Sequence, residues 1–220
     1  MKILAFGAHP DDIEIFMFGL LFLFKEQGHK IFMCVATDGS KGGQNPGKNL
    51  AKIRKKETIL ALKSIGIPKM LNLIDGELHY SNTSKKIVSL IDKIKPDLVI
   101  THSIKDYHSD HRTLSLHIQN ATSFKCPIIY CDTLMGIEFD PNIYIDISRV
   151  FELKKNAILK HKSQNPEKYF RMTEIMNKYR SAQSNNLEGY CEAYRFEPRF
   201  PFVDIRNLLP SGLDINFHKL

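Results

Sequence analysis

Near its start the chain reads Lys2-Ile3-Leu4-Ala5-Phe6-Gly7-Ala8-His9-Pro10-Asp11-Asp12-Ile13-Glu14. The run Ile3 to Phe6, ended by Gly7, has the length and continuity of a short strand buried on both faces. Directly after it, one histidine and two adjacent carboxylates fall within four residues, with Pro10 stiffening the turn. Folding does not require so many ionisable groups beside an apolar run. A metal ion that activates water does. A catalytic zinc usually takes three protein nitrogen or oxygen ligands and keeps a position open for water. At least one further ligand must then come from elsewhere in the chain.

Beyond Gly7 strand and helix patterns alternate. Apolar residues at 13, 16, 17, 20, 21 and 24 recur at helical spacing and predict one helix over 13–27, with Gly28 as its stop. Strands are expected at 31–37, 70–74, 97–101 and 127–131, and helices at 50–64, 84–94 and 109–121. A β-α-β-α order of this kind predicts an α/β fold, a mostly parallel sheet with helices on both faces. Past residue 140 the pattern changes. Helices are expected at 148–162 and 167–181, and a strand or helix end at 189–196. Residues 197–220 form an irregular segment that wraps the core or meets another subunit. In parallel sheets ligands gather at the carboxyl ends of strands. His9 to Asp12 follows the first strand and His102 to His111 follows the fourth, so both loops belong to one rim.

The chain has 220 residues, 43% of them hydrophobic, which suits a single α/β domain over 1–220 with a sizeable core. No segment reaches the roughly eighteen apolar residues of a membrane-spanning helix. The greasiest run, Ile15 to Phe24, follows acids where a signal peptide carries bases. The reading is a soluble, cytoplasmic protein. Cys34, Cys126, Cys131 and Cys191 form no C-x-x-C pair and read as reduced core thiols. The formal charge is +7, and residues 41–70 hold eight Lys/Arg against the single acid Glu57, which accounts for the whole excess. Such a window is either a solvated helix face or an attractor for an anionic substrate. No aromatic-interleaved basic run accompanies it, which argues against nucleic acid.

His108-Ser109-Asp110-His111 repeats the chemistry of the first turn. At a helix start, His108 and His111 stand three apart and share a face. His9, Asp12 and one histidine of this second cluster would complete a metal set, leaving Asp11 free as a base. Simpler readings stand beside this one. Asp11 or Asp12 suits a helix cap. Gly42-x-x-x-x-Gly47-Lys48-Asn49 nearly spells a phosphate-binding loop. Asn49, however, replaces the Ser/Thr that such a loop needs, and Pro46 interrupts its N–H groups, so a lid over the site is the better reading. Arg54 and Glu57 suit an i, i+3 pair, and Asp75 a turn with Gly76. His102 and Asp106 are placed to support the site. His29, His79, His102, His117, His161 and His218 show no partner pattern and default to surface or packing roles, with the supporting role as the alternative for His102. Phe16, Phe18, Phe22 and Phe24 default to core or subunit contact.

Ala8-His9-Pro10-Asp11-Asp12, followed about a hundred residues later by His108-x-Asp110-His111, resembles the PIG-L (LmbE-like) family of zinc-dependent N-deacetylases. These enzymes remove acetyl from N-acetylglucosamine-type sugars joined to inositol, malate, lipids or antibiotics. Arg54-x-x-Glu57 and Asp75 look like further family positions. So do Ile145-Asp146-Ile147-Ser148, then Lys155, Ala157 and His161-Lys162-Ser163-Gln164, and more loosely Gly189 to Tyr194. The later half is most similar to the bacillithiol-type branch. The resemblance implies a Rossmann-like fold with His9, Asp12 and His111 as metal ligands and Asp11 as general base. It implies His108 as oxyanion stabiliser, Asp110 as the residue that tunes or orients His108, and Arg54 and Asp75 as substrate contacts. Zn²⁺ is the implied metal, and a His₂Asp set also accepts Fe²⁺ or Co²⁺. The implied partner is a small N-acetyl sugar, and the implied assembly a homo-trimer or hexamer. The alternatives are another C–N amide hydrolase, such as an N-formyl sugar deformylase, and a metal-binding module without turnover.

Overall fold

The computed structural model describes residues 1–43, 46–78 and 81–210. Five strands make the parallel part of one sheet: β1 (Lys2–Gly7), β2 (Lys30–Thr37), β3 (Lys69–Leu73), β4 (Leu98–Thr101) and β5 (Ile128–Cys131). Two more, β6 (Ile143–Asp146) and β7 (Cys191–Phe196), extend one edge in antiparallel pairing. The strand order is β3-β2-β1-β4-β5-β7-β6. The chain therefore steps outward from β1 to β3, then returns to the other side of β1 with β4. This reversal opens a crevice at the carboxyl ends of β1 and β4, which are hydrogen-bonded neighbours. The two ionisable loops meet there because of the topology.

β1 shows why its sequence is continuously apolar. Ile3 and Ala5 pack into one layer with residues of α1 (Asp12–Phe16), α2 (Phe18–Glu26), α3 (Lys48–Ala61) and α6 (Phe151–Ile158). Leu4 and Phe6 pack into the opposite layer with α4 (Ser81–Ile94) and α5 (Ser109–Thr122). Successive side chains of a strand point to opposite faces, so a strand covered on both sides needs apolar residues at every position. α7 (Pro166–Gln183) lies against β7. The four cysteines are free and buried. No helix among the described residues is long and apolar enough to cross a membrane.

The expected strands at 31–37, 70–74, 97–101 and 127–131 appear within one residue of those bounds. Residues 189–196 take the strand alternative, as β7. The single helix expected over 13–27 is corrected. It breaks at Met17, at φ −135°, into α1 and α2. The cause is long-range. The buried Glu192 carboxylate accepts from Gly19 N–H and Leu20 N–H, both at 2.8 Å, and so caps a second helix start. It also accepts from Lys154 Nζ and Tyr194 Oη–H, both at 2.7 Å. β6 was not expected, because four residues at a sheet edge carry too little alternation to read. The helix expected over 148–162 is shorter, with a 3₁₀ turn at Ser148–Val150 before α6. Ile205, Leu208 and Leu209 of the irregular tail pack on the first layer, and residues 211–220 lie outside the described ones.

Burial holds the Lys154 amine below the ordinary lysine range, even with Glu192 opposing the shift. Removing Glu192 would strand this charge and uncap α2. Glu192→Ala should therefore lose about 3–5 kcal/mol in equilibrium urea unfolding, the usual result of breaking a buried pair. A loss below about 1 kcal/mol, typical of exposed pairs, would mean that the pair does not organise the kink.

Candidate active site

The first turn is closed from within and clamped from outside. His9 N–H donates to Asp12 Oδ2 at 2.7 Å, and Asp12 N–H reaches His9 O at 3.3 Å. Between them Asp11 sits at φ 130°, where non-glycine residues are strained. Such strain persists only where neighbouring contacts impose it. Here the neighbour is Arg54 of α3. Its buried guanidinium donates to Pro10 O at 2.7 Å, Gly39 O at 3.0 Å and Asp11 Oδ2 at 3.1 Å. Gly39, at φ 65°, gives the guanidinium room. A Cβ there would stand 2.7 Å from Arg54 Nη1 and 2.8 Å from Pro10 Cδ. Arg54 lines the cavity, and its hydrogen bonds hold the turn. Glu57 turns away from it and accepts from Ser163 N–H (2.9 Å) and Oγ–H (2.6 Å).

Three donors converge beside this turn. His9 Nδ1 lies 3.4 Å from Asp12 Oδ2, His111 Nε2 lies 3.4 Å from Asp12 Oδ1, and the two nitrogens lie 3.3 Å apart. The far nitrogens face carboxylates: His111 Nδ1 meets Asp106 at 2.9 Å, and His9 Nε2 meets Asp110 at 3.1 Å and Asp75 at 3.3 Å. A nitrogen facing a carboxylate carries the proton of a neutral imidazole. The near nitrogens then present lone pairs to each other and to Asp12, an arrangement that calls for a cation. A tetrahedral ion with bonds of about 2.0–2.1 Å holds its ligand atoms about 3.3–3.4 Å apart. The donor set fits a metal. Three further groups that could hold an ion share residues with this set: Asp12, His102 and His111; His9, Asp75 and Asp110; and His9, His108 and His111.

Without an ion, the carboxylates raise the imidazoles instead. Burial alone would lower His9, but Asp110, Asp12 and Asp75 lift it well above the ordinary imidazole value. Burial likewise opposes His111, and Asp12 and Asp106 hold it at about 9. Burial would raise Asp12, and the His111 and His102 charges pull it well below the usual carboxylate range. Burial raises Asp11, with Arg54 as the main opposing influence.

The remaining expected residues divide. Asp110 does not orient His108 with its carboxylate, which goes to His9 Nε2 and accepts from Gly76 N–H at 2.8 Å. Its backbone N–H donates to His108 Nδ1 at 3.2 Å. Asp75 also faces His9, accepts from Lys41 N–H, and is pulled down to about 2 by His9 against the effect of burial. His102 is fully buried, stacks on His111 at 3.7 Å and places Nε2 3.0 Å from Asp12 Oδ2. Phe16 meets the His102 and His111 rings edge-on, so the first helix contributes to the site as well as the core. His161, expected to be a packing or surface residue, is buried against Glu14 at 2.8 Å. A signal for that pair was present, since Glu14 follows the metal turn on a helix face otherwise apolar. A cavity of about 420 Å³ opens over this centre, walled also by Tyr107, Leu134, Gln164 and Tyr169. The near-phosphate-loop motif includes residues 44 and 45, which lie outside the described ones. Its Gly42 and Gly43 line the same cavity.

Residues 4–122 match the family model described as PIG-L, GlcNAc-PI de-N-acetylase. The chain belongs to the PIG-L family. This PIG-L chain is 29% identical to the diacetylchitobiose deacetylase of Thermococcus kodakarensis, over 90% of its own length and 83% of the relative's. It is 28% identical to a probable N-acetyl-α-D-glucosaminyl L-malate deacetylase 2 of Bacillus cereus, over 74% and 83%. Among solved structures, the N,N'-diacetylchitobiose deacetylase of Pyrococcus horikoshii superposes with a TM-score of 0.80 at 24% identity, covering 90% of this chain and 84% of that one. A 4-carboxy-2-hydroxymuconate hydratase of Pseudomonas putida superposes with a TM-score of 0.79 at 19% identity, covering 90% and 97%. At these identities the two superpositions establish the fold alone. That fold includes the mostly parallel, Rossmann-like sheet.

The raised His111 value has a consequence for the metal-free PIG-L chain. Its folded pKa of about 9 stands above the unfolded imidazole value of about 6.5. The stabilisation is therefore complete below about pH 6.5 and is lost as pH rises through the folded value. Chelator-treated protein should melt at steadily lower temperature from pH 6.5 to about 9 in scanning calorimetry. A flat melting temperature there, with the His111 NMR resonance titrating near about 6.5, would contradict the Asp12 and Asp106 pairing.

Proposed function

We propose that this chain is a metal-dependent hydrolase that removes the acetyl group from an N-acetylated amino-sugar conjugate. The observation that carries the reading is a buried His9–Asp12–His111 donor set beside a separate, strained and clamped carboxylate, Asp11. A module that only stores metal needs the donors and gains nothing from holding Asp11 in a costly conformation. The family membership and the sugar deacetylases among the relatives support the same chemistry.

His9, Asp12 and His111 are the residues that would hold the ion. When bound, a divalent ion such as Zn²⁺ lowers the pKa of water and acts as a Lewis acid toward a carbonyl. The chain supplies the rest. Asp110 and Asp75 orient His9, Asp106 orients His111, and His102 braces Asp12, the second layer that holds metal ligands in place. Asp11 accepts a proton from water as the water oxygen adds to the amide carbon. Burial raises the affinity of Asp11 for that proton, which suits a general base. His108 takes the oxyanion-stabilising role as a neutral imidazole. Burial and the charges of His9 and His111 keep it below the ordinary value. The Asp110 N–H bond into Nδ1 selects the neutral tautomer with hydrogen on Nε2. That N–H can donate to the carbonyl oxygen as negative charge builds on it. The C–N bond then breaks, the nitrogen takes the proton held by Asp11, and acetate and a free amine result. The same reading includes action as a homo-oligomer in the cytoplasm.

Purified protein supplied with Zn²⁺, Fe²⁺ or Co²⁺ should release amine from N-acetyl sugar conjugates in a fluorogenic amine assay. Release only from N-formyl analogues would make it a deformylase, and release from neither would sink the hydrolase reading. Asp11→Asn should lower kcat by about 10²–10⁴, the range of a general base, with metal content unchanged by atomic absorption. If metal is lost as well, Asp11 is a ligand. His111→Ala should lose the metal.

Arg54 gives a separate outcome. As the clamp on Asp11, its replacement by alanine should reduce kcat by about 10–100-fold with KM little changed, because the missing interaction serves the chemical step. A rise in KM alone would instead make Arg54 a sugar contact.

A further inference from the structure

α3 packs on the molecule with one face only. Leu50, Arg54, Thr58 and Ala61 are its buried positions, and they recur at the spacing of a single helix face. The outer face carries Lys48, Lys52, Lys55 and Lys56, and Lys63 follows in the next turn, all exposed. The lysine ion pairs among the described residues belong to Lys41, Lys125, Lys154, Lys155, Lys162 and Lys178. The five ammonium groups of the α3 face therefore stand unpaired. The one acid of the helix, Glu57, is half-buried and accepts from Ser163.

Among these lysines are apolar side chains that a merely solvated face does not need. Ile53 is 48% exposed and Leu60 54%. Two turns apart, they lie on one strip of the helix. Ile59 opens among the lysines, and Ile67, just past the helix, is 84% exposed. Single exposed apolar residues are ordinary, but apolar residues grouped within a polar rim mark an interaction surface. Lys168 of α7 extends the charge, since it borders a surface hollow together with Ile53 and Asn49.

The partner must therefore present negative charge with an apolar layer directly beneath it. An anionic bilayer does so, with charged headgroups over hydrocarbon. Nucleic acid offers the charge alone, and the exposed face of α3 has no arginine to fork a phosphate and no aromatic ring to stack on a base. A second copy docked about a two-fold axis would set lysines against lysines. We infer that the outer face of α3, with Lys63 and Ile67 beyond it, is a docking surface for an anionic membrane. The ammonium groups lie among the headgroups, and Ile53, Leu60 and Ile67 dip into the boundary below them. The attachment is peripheral and occupies the side of α3 opposite Arg54.

The test mixes the metal-loaded full chain with sucrose-filled vesicles and reads bound protein by sedimentation. The protein should bind phosphatidylcholine vesicles containing about 30% phosphatidylserine and stay in solution with phosphatidylcholine alone. A lysine near such a leaflet strengthens binding about fivefold, so the combined Lys52→Glu, Lys55→Glu and Lys56→Glu variant should lose about a hundredfold or more. Binding should fall steeply as salt rises from about 0.1 to 0.5 M. Ile53→Ser with Leu60→Ser leaves the charge unchanged and should weaken binding about tenfold, through lost apolar burial. Lys85→Glu, exposed on α4 in the opposite layer, should change little. Each variant should keep the circular dichroism spectrum of the parent. Absence of binding to the anionic vesicles overturns the inference. So does binding that the Ile53 and Leu60 substitutions leave intact: a DNA duplex bound more tightly than vesicles would then make the face a nucleic-acid surface, and a changed oligomeric state of that variant in sedimentation equilibrium would assign it to a second copy.

Discussion

Buried charge must be matched by opposite charge, and this constraint organises the centre of the molecule. His9, His102, His108 and His111 meet Asp12, Asp75, Asp106 and Asp110 at the carboxyl ends of β1 and β4, mostly out of contact with water. Isolated charges in such a place would each be destabilising by several kcal/mol or more. Every carboxylate in this group therefore lies on an imidazole. The inner faces of His9 and His111 are the part that side chains alone leave unsolved, since two nitrogens and a carboxylate point at one another. Protons answer the problem when no ion is bound, which is why both imidazoles are raised. A divalent ion answers it better, because it can meet all three donors at once.

The outer parts of the chain serve that centre. Arg54 reaches from α3 to hold the strained Asp11. Glu14, one turn into α1, is held by His161, which lies after α6. Glu57 on α3 is held by Ser163, two residues further on. The segment 161–164 therefore fastens α1 and α3 from one side, and both helices then fix the metal turn between them. The Glu192 and Lys154 pair acts one layer deeper, where it sets the angle at which α1 leaves α2. The carboxyl half of the chain is a brace for a candidate site whose imidazoles and carboxylates lie within the first 111 residues.

Much of this was legible because strand periodicity and ionisable clusters are local signals. Ile3 to Phe6 announced a strand covered on both faces, and the two loops of His and Asp pointed to one rim. The break at Met17 was not legible, because its cause is Glu192, at the far end of the sequence. The partner of the Asp110 carboxylate was not legible for a related reason. Sequence places Asp110 beside His108, but a helix turns adjacent side chains apart, and the carboxylate leaves its neighbour for His9 across the crevice. Arg54 read as an i, i+3 partner of Glu57 or, by resemblance, as a substrate contact. Only the fold shows that it is the one basic residue of α3 that turns inward, with Lys48, Lys52, Lys55 and Lys56 left in solvent.

The segment after α6 also borders the cavity over the candidate site. His161 is buried and Ser163 half-buried, and they secure Glu14 and Glu57, whereas Lys162 and Asn165 are exposed. Gln164 lines the cavity. Inward and outward residues thus alternate within one short turn. The inward ones are constrained by the base and its supports, since moving them disturbs α1 and α3. The outward Lys162 pairs with Glu167 at 3.3 Å, both of them exposed. An exposed pair of this kind contributes little to stability. Substitution at position 162 therefore leaves the candidate site intact, whereas substitution at 161 or 163 frees a carboxylate on α1 or α3.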